Sequence, residues 1–249
     1  MHHIAQPYSK LASAYDLTLG GRFFTGARRA FEALVKQYGI AFRSAADLGC
    51  GTGLFARYLG RRWAVPVFAV DRSPEMLEVA FRNCQDWNVR FLQQDIRCLH
   101  LPCKVDLVTA NFDTLNHLLN GNDIRVTFHR IFQNLRRGGH FIFDMITPCQ
   151  PMMMGVTYIR HLPTFRSSVQ QRLRWNPLSR ILSILVVLRA MGSLLPTIEL
   201  HRERAYWPAE IASGLLDAGF VIRGVHDAQS LKVPSRCPRR IIVVAAKPV

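Results

Sequence analysis

The segment that decides the fold reads Ala45-Ala46-Asp47-Leu48-Gly49-Cys50-Gly51-Thr52-Gly53. Its apolar start predicts the end of a buried strand, and the residues from Leu54 to Leu59 predict a helix after it. Three glycines at alternate positions let the backbone turn sharply and lie against a ligand without a Cβ in the way. The spacing is Gly-x-Gly-x-Gly, unlike the Gly-x-Gly-x-x-Gly of dinucleotide-binding folds. The acid ahead of the turn disfavours a pyrophosphate and favours a ligand with an amine and a sulfonium.

Acidic residues also end the next two predicted strands. The run from Val65 to Val70 ends at Asp71, whose carboxylate at a strand tip can accept both hydroxyls of a bound ribose. A third run, from Val89 to Gln94, ends at Asp95. Acids at strand ends occur in many α/β proteins, so the joint order and spacing of these residues carry the prediction.

A helix is predicted between these two strands. Ser73 is a good N-cap and Pro74 suits the first helical position. Met76 then lies one turn in, where its thioether can pack on an adenine ring. Further strands are predicted from Val105 to Thr109 and, after a helix end and a glycine turn, up to Asp144. Strands and helices therefore alternate from about residue 45 to 145, which predicts a parallel sheet with helices on both faces.

In order and spacing these features resemble class I (Rossmann-like) S-adenosylmethionine-dependent methyltransferases. The resemblance implies an α/β fold with a doubly wound, seven-stranded, mostly parallel sheet. It implies S-adenosyl-L-methionine as cofactor and S-adenosyl-L-homocysteine as product, with Asp95 meeting the adenine amino group and Ile96 covering the ring. The cofactor site implied in this way consists of Asp47, Gly49, Cys50, Gly51, Gly53, Asp71, Arg72, Met76, Asp95, Ile96, Asn111 and Phe112.

Three further segments extend the resemblance to small-molecule enzymes. Tyr8 to Asp16 resembles the Tyr-x-x-x-Ala-x-x-Tyr-Asp lead-in that forms a lid over the cofactor in many of them. Phe112 to Leu118 is similar to a loop of glycine and amino-sugar N-methyltransferases. Glu199 to Tyr206, before a helix that ends near Gly219, resembles the carboxy-terminal half of the family.

The acceptor side offers two candidate catalytic residues. His117 follows the fourth strand, and its imidazole can accept a proton near neutrality, although it can equally pack on the following helix. Tyr15 in the lid can bring its hydroxyl to the methyl group or acceptor, or can simply pack. The candidate substrate-binding residues, each with a structural alternative, are Asp113, Asp144, His201 and Arg204.

This sequence lacks motifs that are typical of several other methyltransferase subfamilies, which limits the reactions we expect it to catalyse. Enzymes that methylate exocyclic base amines resemble one another in an Asn-Pro-Pro-Tyr motif after the fourth strand. This chain has Asn111-Phe112-Asp113 there instead. The catalytic cysteine pair of cytosine C5 or arsenite enzymes and the metal-binding acids of catechol-type enzymes are not found. We therefore expect no metal, and methylation of a nitrogen or oxygen of a small metabolite, an acidic acceptor or natural product among the candidates.

The whole chain, 1–249, is predicted to form a single methyltransferase domain. Residues 1–41 form a helical lid, 42–146 the cofactor-binding core, 147–195 a substrate-side insertion, and 196–249 the closing strands and helix. Hydrophobic residues make up 49% and charged residues 20%, which is typical of a folded globular protein. The spacing of the six cysteines does not match that of metal ligands, and we expect these cysteines to be reduced thiols.

The net charge of +15 is the unusual compositional feature. After Asp144 no acid occurs until Glu199, and that interval contains Arg160, Arg166, Arg172, Arg174, Arg180 and Arg189. These arginines indicate either an acidic substrate or RNA, or solvated faces of antiparallel strands.

An RNA or protein methyltransferase that uses residues 147–204 therefore stays an alternative, as does an inactive cofactor-binding partner subunit. The amino terminus lacks the apolar core of a signal peptide, and the apolar run from Ile181 to Leu188 is too short to span a bilayer. We expect a cytoplasmic protein that acts on a small-molecule acceptor. Nucleic acid is a less favoured partner, and the sequence leaves open whether the protein is a homodimer.

Overall fold

The computed structural model describes residues 4–85, 87–149, 157–162, 167–190 and 195–249. Within these ranges the strands are β1 Ile4–Ala5, β2 Ala45–Leu48, β3 Val67–Asp71, β4 Val89–Gln93, β5 Val105–Ala110, β6 Leu135–Ile146, β7 Thr157–Leu162, β8 Ser167–Asn176, β9 Ile181–Ala190, β10 Thr197–Arg204, β11 Val221–Asp227 and β12 Arg240–Ala246. The helices are α1 Ala12–Tyr15, α2 Gly21–Tyr38, α3 Leu54–Trp63, α4 Pro74–Asn83, α5 Gly121–Asn134 and α6 Pro208–Asp217. A π-helical turn, Asp16–Gly20, joins α1 to α2, and 3-10 turns lie at Ile96–Cys98 and Thr114–His117.

The main sheet has seven strands in the order β11-β12-β6-β5-β2-β3-β4. Strands β4, β3, β2, β5 and β6 pair in parallel, whereas β12 pairs antiparallel with both β6 and β11. Every residue of β2 is buried, as a parallel strand covered on both faces requires. The predicted α/β fold with a mostly parallel, seven-stranded sheet is confirmed.

The direction of strand order reverses between β2 and β5, and a crevice opens there at the carboxyl ends of the strands. In doubly wound sheets this switch point is where ligands bind. The glycine turn follows β2 at this edge, Asp71 ends β3, Asp95 follows β4, and Phe112 follows β5. The fold thus brings together residues that are far apart along the chain.

A second sheet of five strands has the order β1-β10-β9-β8-β7. Its strands pair antiparallel except for β1, which runs parallel to β10. Leu11 and Ala14 of the amino-terminal segment pack on Val169 and Val186 of this sheet. The second sheet therefore holds the start of the chain over the carboxyl edge of the main sheet.

Local signals place several elements as the sequence predicts. The Ser73 hydroxyl accepts a hydrogen bond from Met76 N at 3.2 Å, which caps α4. The predicted helix after Trp207 spans Pro208–Asp217. The expected helix end is found, since α5 ends at Asn134 with Leu135 as its C-cap. The glycine turn does not precede the fifth strand as expected, because β6 already begins at Leu135 and Gly138, at φ 73°, lies within it.

The expectation of reduced cysteines is also wrong. Cys149, just after β6, forms a disulfide with Cys237, just before β12. The two strands are antiparallel neighbours with Arg240 paired to Ile146, so the residues beyond their adjacent ends meet. Cys50 and Cys84 are free and buried, and Cys98 and Cys103 are free and exposed.

Whether residues 1–249 work as one catalytic domain with the four predicted parts stays a prediction. Part of the 147–195 segment, including Arg166, lies outside the described residues. No helix in the described part of the chain is long and apolar enough to cross a bilayer.

Candidate functional site

The glycine turn forms the floor of the site. Gly49, Gly51 and Gly53 have φ values of 61°, 52° and 80°, in the left-handed region that favours glycine. A Cβ at Gly49 would overlap the Thr114 side chain, so the turn after β2 and the 3-10 turn after β5 approach closely because no side chain separates them. Gly51 N donates to Asp71 Oδ2 at 2.9 Å, which fixes the turn to the end of β3.

Asp71 is held in place by two backbone amides. Besides the bond from Gly51 N, its Oδ1 accepts from Ser73 N at 2.9 Å. Burial raises the pKa of Asp71, although these amides favour the charged form. Each carboxylate oxygen keeps acceptor capacity beyond its amide partner, and the side chain lines the cavity described next.

A cavity of about 310 Å³ lies over this floor. Its size falls at the lower end of typical ligand pockets. Eleven residues that sequence reasoning proposed line it: Tyr15, Gly49, Cys50, Gly51, Asp71, Arg72, Met76, Asp95, Ile96, Phe112 and His117. Residues that sequence reasoning did not propose for the site complete the wall: Tyr8, Gly20, Thr52, Leu54, Phe55, Ser73, Gln94, Arg97, Thr114, Leu118, Leu119 and Asp123.

Asp47, Gly53 and Asn111 lie behind the cavity wall. The Asp47 carboxylate accepts the Thr109 hydroxyl at 2.8 Å, and burial raises its pKa to about 7. Asn111 Nδ2 is buried and forms no hydrogen bond of good geometry with a described residue, but the Asn111 side chain lies close enough to the Asp47 carboxylate to lower its pKa. The Asp47 and Asn111 side chains therefore lie next to each other at the carboxyl ends of β2 and β5, close to the glycine turn.

Asp95 and Ile96 lie at the far end of the cavity, beside Met76. The Asp95 carboxylate is bound by Arg97, with 2.7 Å between Nη2 and Oδ2, and this hydrogen bonding lowers the pKa of Asp95. Arg97 also reaches Asp123 at 3.1 Å. The apolar side chains of Met76 and Ile96 can pack against a flat ring, and the Asp95 carboxylate, which Arg97 holds in place, can accept a hydrogen bond from an exocyclic amine.

The amino-terminal segment roofs the opposite end of the cavity with Tyr8, Tyr15 and Gly20. Glu199, fully buried on β10, accepts backbone amides of Tyr8, Lys10 and Leu11 at 2.6 to 3.0 Å. Burial opposes ionisation of Glu199, but the hydrogen bonds from His201 and these amides outweigh it and lower its pKa. Glu199 therefore fastens the lid to the second sheet as a carboxylate.

A second attachment joins the lid to the glycine turn. The Thr52 hydroxyl donates to Asp16 Oδ1, and Asn83 Nδ2 donates to Thr52 O at 2.8 Å and Asp16 Oδ2 at 3.4 Å. Asp16 belongs to the segment whose resemblance predicted a lid. The structure thus positions Tyr15 directly over the floor of the cavity.

His117 contacts the lid through Tyr8. Its Nδ1 lies 3.2 Å from Arg202 O, which can only accept, so Nδ1 carries the proton. Nε2 is then the acceptor for the Tyr8 hydroxyl at 2.9 Å. Burial lowers the pKa of His117 to about 4, so the imidazole is neutral near pH 7. The Nε2 lone pair of the neutral ring is therefore already used to accept the hydrogen bond from Tyr8, a residue that sequence reasoning did not propose for the site.

The four predicted substrate residues do not line this cavity. Asp113 and Asp144 both bind Arg240, with closest distances of 2.7 and 2.6 Å. His201 Nε2 donates to Glu199 Oε2 at 2.9 Å, and Arg204 Nη1 donates to Leu119 O at 3.1 Å. His201 does line a neighbouring cavity of about 370 Å³, which shares Arg72, His117 and Leu119 with the first.

The four arginines of the 147–195 segment whose side chains the structure describes are either paired or exposed. Arg180 forms a bidentate ion pair with Glu210, and Arg189 Nη1 donates to Gln170 Oε1 at 3.2 Å. Arg172 and Arg174 are exposed on one face of β8. Among the residues that the structure describes, no cluster of three or more histidine, cysteine or acidic side chains suits a metal.

Comparison with known proteins gives the following likenesses. Residues 45–139 match a family described as a methyltransferase domain. A protein of Geobacillus sp. (strain WCH70), whose name proposes a methyltransferase, is 28% identical over 96% of this chain and 99% of its own length.

Solved structures share the fold. An S-adenosylmethionine-dependent methyltransferase from Clostridium acetobutylicum ATCC 824 superposes with a TM-score of 0.81 at 24% identity, over 97% of this chain and 99% of that one. An amino pentose methyltransferase of Micromonospora echinaspora, involved in calicheamicin biosynthesis, superposes with a TM-score of 0.73 at 18% identity, over 99% and 100% of the two chains.

Proposed function

We propose that this chain, which is a class I S-adenosylmethionine-dependent methyltransferase, methylates a nitrogen or oxygen of a small-molecule acceptor. The acceptor approaches the end of the main cavity that Tyr8, Tyr15 and His117 surround. The amino pentose methyltransferase with the same fold supports a small acceptor.

The residues present fit S-adenosylmethionine. Asp71 would take the ribose hydroxyls, while Met76 and Ile96 would flank the adenine and Asp95 would face its amine. The glycine turn, of which Gly49, Cys50 and Gly51 line the cavity, would hold the amino-acid end, with Asp47 and Asn111 behind it. When bound, the cofactor supplies an electrophilic methyl group on a sulfonium that is already a good leaving group.

The protein's own part in the reaction is to position the acceptor and exclude water. Alignment of this kind lowers a barrier by roughly 7–11 kcal/mol at most. Tyr8 and Tyr15 cover the reacting end of the cavity, and burial keeps the pKa of Tyr15 above its usual value, so its hydroxyl stays protonated and can donate a hydrogen bond. Neutral His117 orients the Tyr8 hydroxyl.

The roof is the observation that carries the proposal of a small acceptor. The lid is fastened at two points, by Glu199 on one side and by the Asp16–Thr52 contact on the other. A cavity of about 310 Å³ closed in this way suits a cofactor and a compact acceptor better than a folded polymer.

Tritiated methyl transfer tests the proposal. The protein is incubated with S-adenosylmethionine labelled in its methyl group and, separately, with metabolites below about 1 kDa, total RNA and total protein. We expect label only in the metabolite fraction, and filter binding of bulk RNA that is weak at physiological salt. Label in RNA, together with submicromolar binding that falls steeply with salt, would contradict the proposal.

A further inference from the structure

The second cavity, of about 370 Å³, adjoins the reacting end of the main cavity. Its wall includes residues 4–7 of the lid and residues 200–202 of β10. The two cavities share three wall residues: Arg72, His117 and Leu119. An acceptor held at the reacting end of the main cavity can therefore extend past His117 into the second cavity.

The second cavity lies along an open stretch of the β10 edge. Strand β1 pairs with β10 only as far as Glu199. Farther along β10, the carbonyl oxygen of Arg202 is bound by His117 Nδ1 at 3.2 Å. Between these two contacts no strand of the described part of the chain covers the edge, and the residues there face the cavity.

The backbone N–H of Arg202 is a donor on this open edge. In an antiparallel pair the N–H and C=O of one residue point to the same side, and successive residues alternate. Ala205 N donates to Arg180 O at 2.8 Å, so the odd-numbered residues of β10 face β9 and Arg202 faces away from it. Because β1 ends before this point, no neighbouring strand accepts the Arg202 N–H.

The charged side chains on the cavity wall are basic. Arg72 and Arg202 both line the cavity and are exposed, and neither forms an ion pair with an acid in the part of the chain that the structure describes. The charge of Arg72 favours ionisation of Asp71 and Asp95, but both acids lie on the main cavity. Among the described residues, no acid lines the second cavity.

The two histidines on the wall are already engaged. Burial lowers the pKa of His117 to about 4, so its ring is neutral near pH 7, and its Nε2 accepts a hydrogen bond from Tyr8. His201 is buried, and its Nε2 is bound to Glu199, which does not line the cavity. Recognition of a charged ligand here therefore depends on Arg72, Arg202 and the Arg202 N–H.

We propose that the second cavity binds an oxyanion of the acceptor, a carboxylate or a phosphate, through Arg72, Arg202 and the Arg202 N–H, while the group to be methylated lies beside His117. This rests on the proposed function and makes the acceptor an anionic metabolite. A guanidinium presents N–H donors in a fork that matches both oxyanions, and the backbone N–H adds a donor of fixed direction. The apolar side chains of Leu119 and Leu200 can pack on the part of the acceptor between its two ends.

Arg202→Gln is the variant that tests this site. Arg202 lines only the second cavity, and its carbonyl, not its side chain, binds His117, so that contact survives the substitution. Arg72 lines both cavities, and a change there would also disturb the cofactor site. Arg174→Gln is the matched control, because Arg174 is exposed, lies in the same row of the sheet across Ser183, and lines neither cavity.

Proton–nitrogen NMR of the arginine amides measures anion binding directly. The whole protein is labelled with nitrogen-15 arginine and saturated with S-adenosylhomocysteine. Arg202→Gln and Arg174→Gln each remove one backbone signal and so assign it. At constant ionic strength the unchanged protein is titrated with glutarate and with inorganic phosphate, each beside a neutral analogue, glutaramide and trimethyl phosphate.

We expect the Arg202 amide signal to shift saturably with glutarate, with phosphate or with both, and to stay in place with the neutral analogues. A response to glutarate alone identifies a carboxylate site, and a response to phosphate alone identifies a phosphate site. The inference is overturned if neither anion gives a saturable shift, if the neutral analogues shift the signal equally, or if the Arg174 signal moves as much.

Turnover gives a second readout, with a metabolite extract as the methyl acceptor. Arg202→Gln should need about tenfold more extract for half-maximal labelling at an unchanged maximum rate, the lower end for a hydrogen bond to a charged group because the guanidinium stays partly in water. Arg174→Gln should behave as the unchanged protein. An unchanged requirement for extract in Arg202→Gln would also count against the site.

The same preparations separate this inference from the proposed function. Failure of the unchanged protein to label any metabolite would sink the proposed function, whether or not the anions bind. Normal labelling together with an Arg202 amide that responds to neither anion would sink only the anionic acceptor.

Discussion

Replacing Asp71 with alanine should weaken cofactor binding more than any other single truncation of the cavity floor. The Asp71 carboxylate is fixed by Gly51 N and Ser73 N, both at 2.9 Å, and retains acceptor capacity toward the cavity. A hydrogen bond to a charged group contributes about 1.5–3 kcal/mol. At about 1.4 kcal/mol for each factor of ten, losing one such bond raises the dissociation constant about 10- to 150-fold.

Isothermal titration calorimetry with S-adenosylhomocysteine measures this change. Because Asp71→Ala also leaves two backbone amides without their acceptor, the melting temperature is recorded on the same preparation to separate local unfolding from lost ligand contacts. Asp217→Ala, a half-exposed acid on α6 paired with Arg125, is the control and should bind normally. A folded Asp71→Ala protein with unchanged affinity would remove Asp71 from the site.

Three further substitutions test other parts of the account. His117→Ala should lower turnover at least about tenfold with nearly unchanged cofactor affinity, whereas His129→Ala, exposed on α5, should do neither. Burial raises the pKa of Asp47 to about 7 in the folded protein, above its ordinary value of 3.8, so its contribution to stability is present in full below about pH 4 and lost as pH rises to about 7. Between about pH 4 and pH 7, the free energy of unfolding should therefore fall by up to about 1.4 kcal/mol per pH unit more in the unchanged protein than in Asp47→Asn. Above about pH 7 the difference should stay constant. Denaturant unfolding at several pH values measures both. Cys149→Ser should lower the free energy of unfolding by about 2–4 kcal/mol in urea without reductant, because the bridge to Cys237 closes a long loop, of sequence separation 88.

Each of these expectations has a contrary result. A folded, cofactor-binding and fully active His117→Ala protein would show that turnover does not depend on the orientation of Tyr8 by His117. Parallel pH profiles for the unchanged protein and Asp47→Asn would show that Asp47 titrates as an ordinary acid. Equal unfolding with and without reductant, and no loss in Cys149→Ser, would mean that the disulfide does not contribute to stability.

The residues that form the floor of the cavity were predictable because their signals are local. The glycine turn, Asp71 at a strand end and the cap at Ser73 are each encoded within a few residues, and parallel strands necessarily bring their carboxyl ends to one edge. The fold class followed from the same alternation of strands and helices.

The acceptor side was less predictable because its contacts connect distant parts of the chain. Tyr8 and His117 are 109 residues apart, and Glu199 reaches lid amides 188 to 191 residues away. Hydrophobic periodicity carries no information about such pairs. The resemblance of Tyr8 to Asp16 to a lid did indicate the segment, but not that Tyr8 would occupy the free lone pair of the candidate base.

The disulfide and the ion-pair partner of Asp113 and Asp144 were also not predictable, because both join parts of the chain that are far apart in sequence. Six cysteines without a regular spacing do not reveal which two meet, and only the pairing of β6 with β12 brings Cys149 to Cys237. That pairing also places Arg240 between Asp113 and Asp144. Sequence reasoning selected both acids but had no signal for the arginine that binds them.

The central claim is that the cofactor lies in the roofed cavity with its methyl group toward Tyr8, Tyr15 and His117. S-adenosylmethionine labelled with carbon-13 in the methyl group allows its contacts to be read by isotope-filtered nuclear Overhauser spectroscopy on the bound protein. We predict cross-peaks from the methyl protons to the ring protons of Tyr15 and Phe112. Cross-peaks instead to Ile96 or Met76, at the end assigned to adenine, would contradict the account.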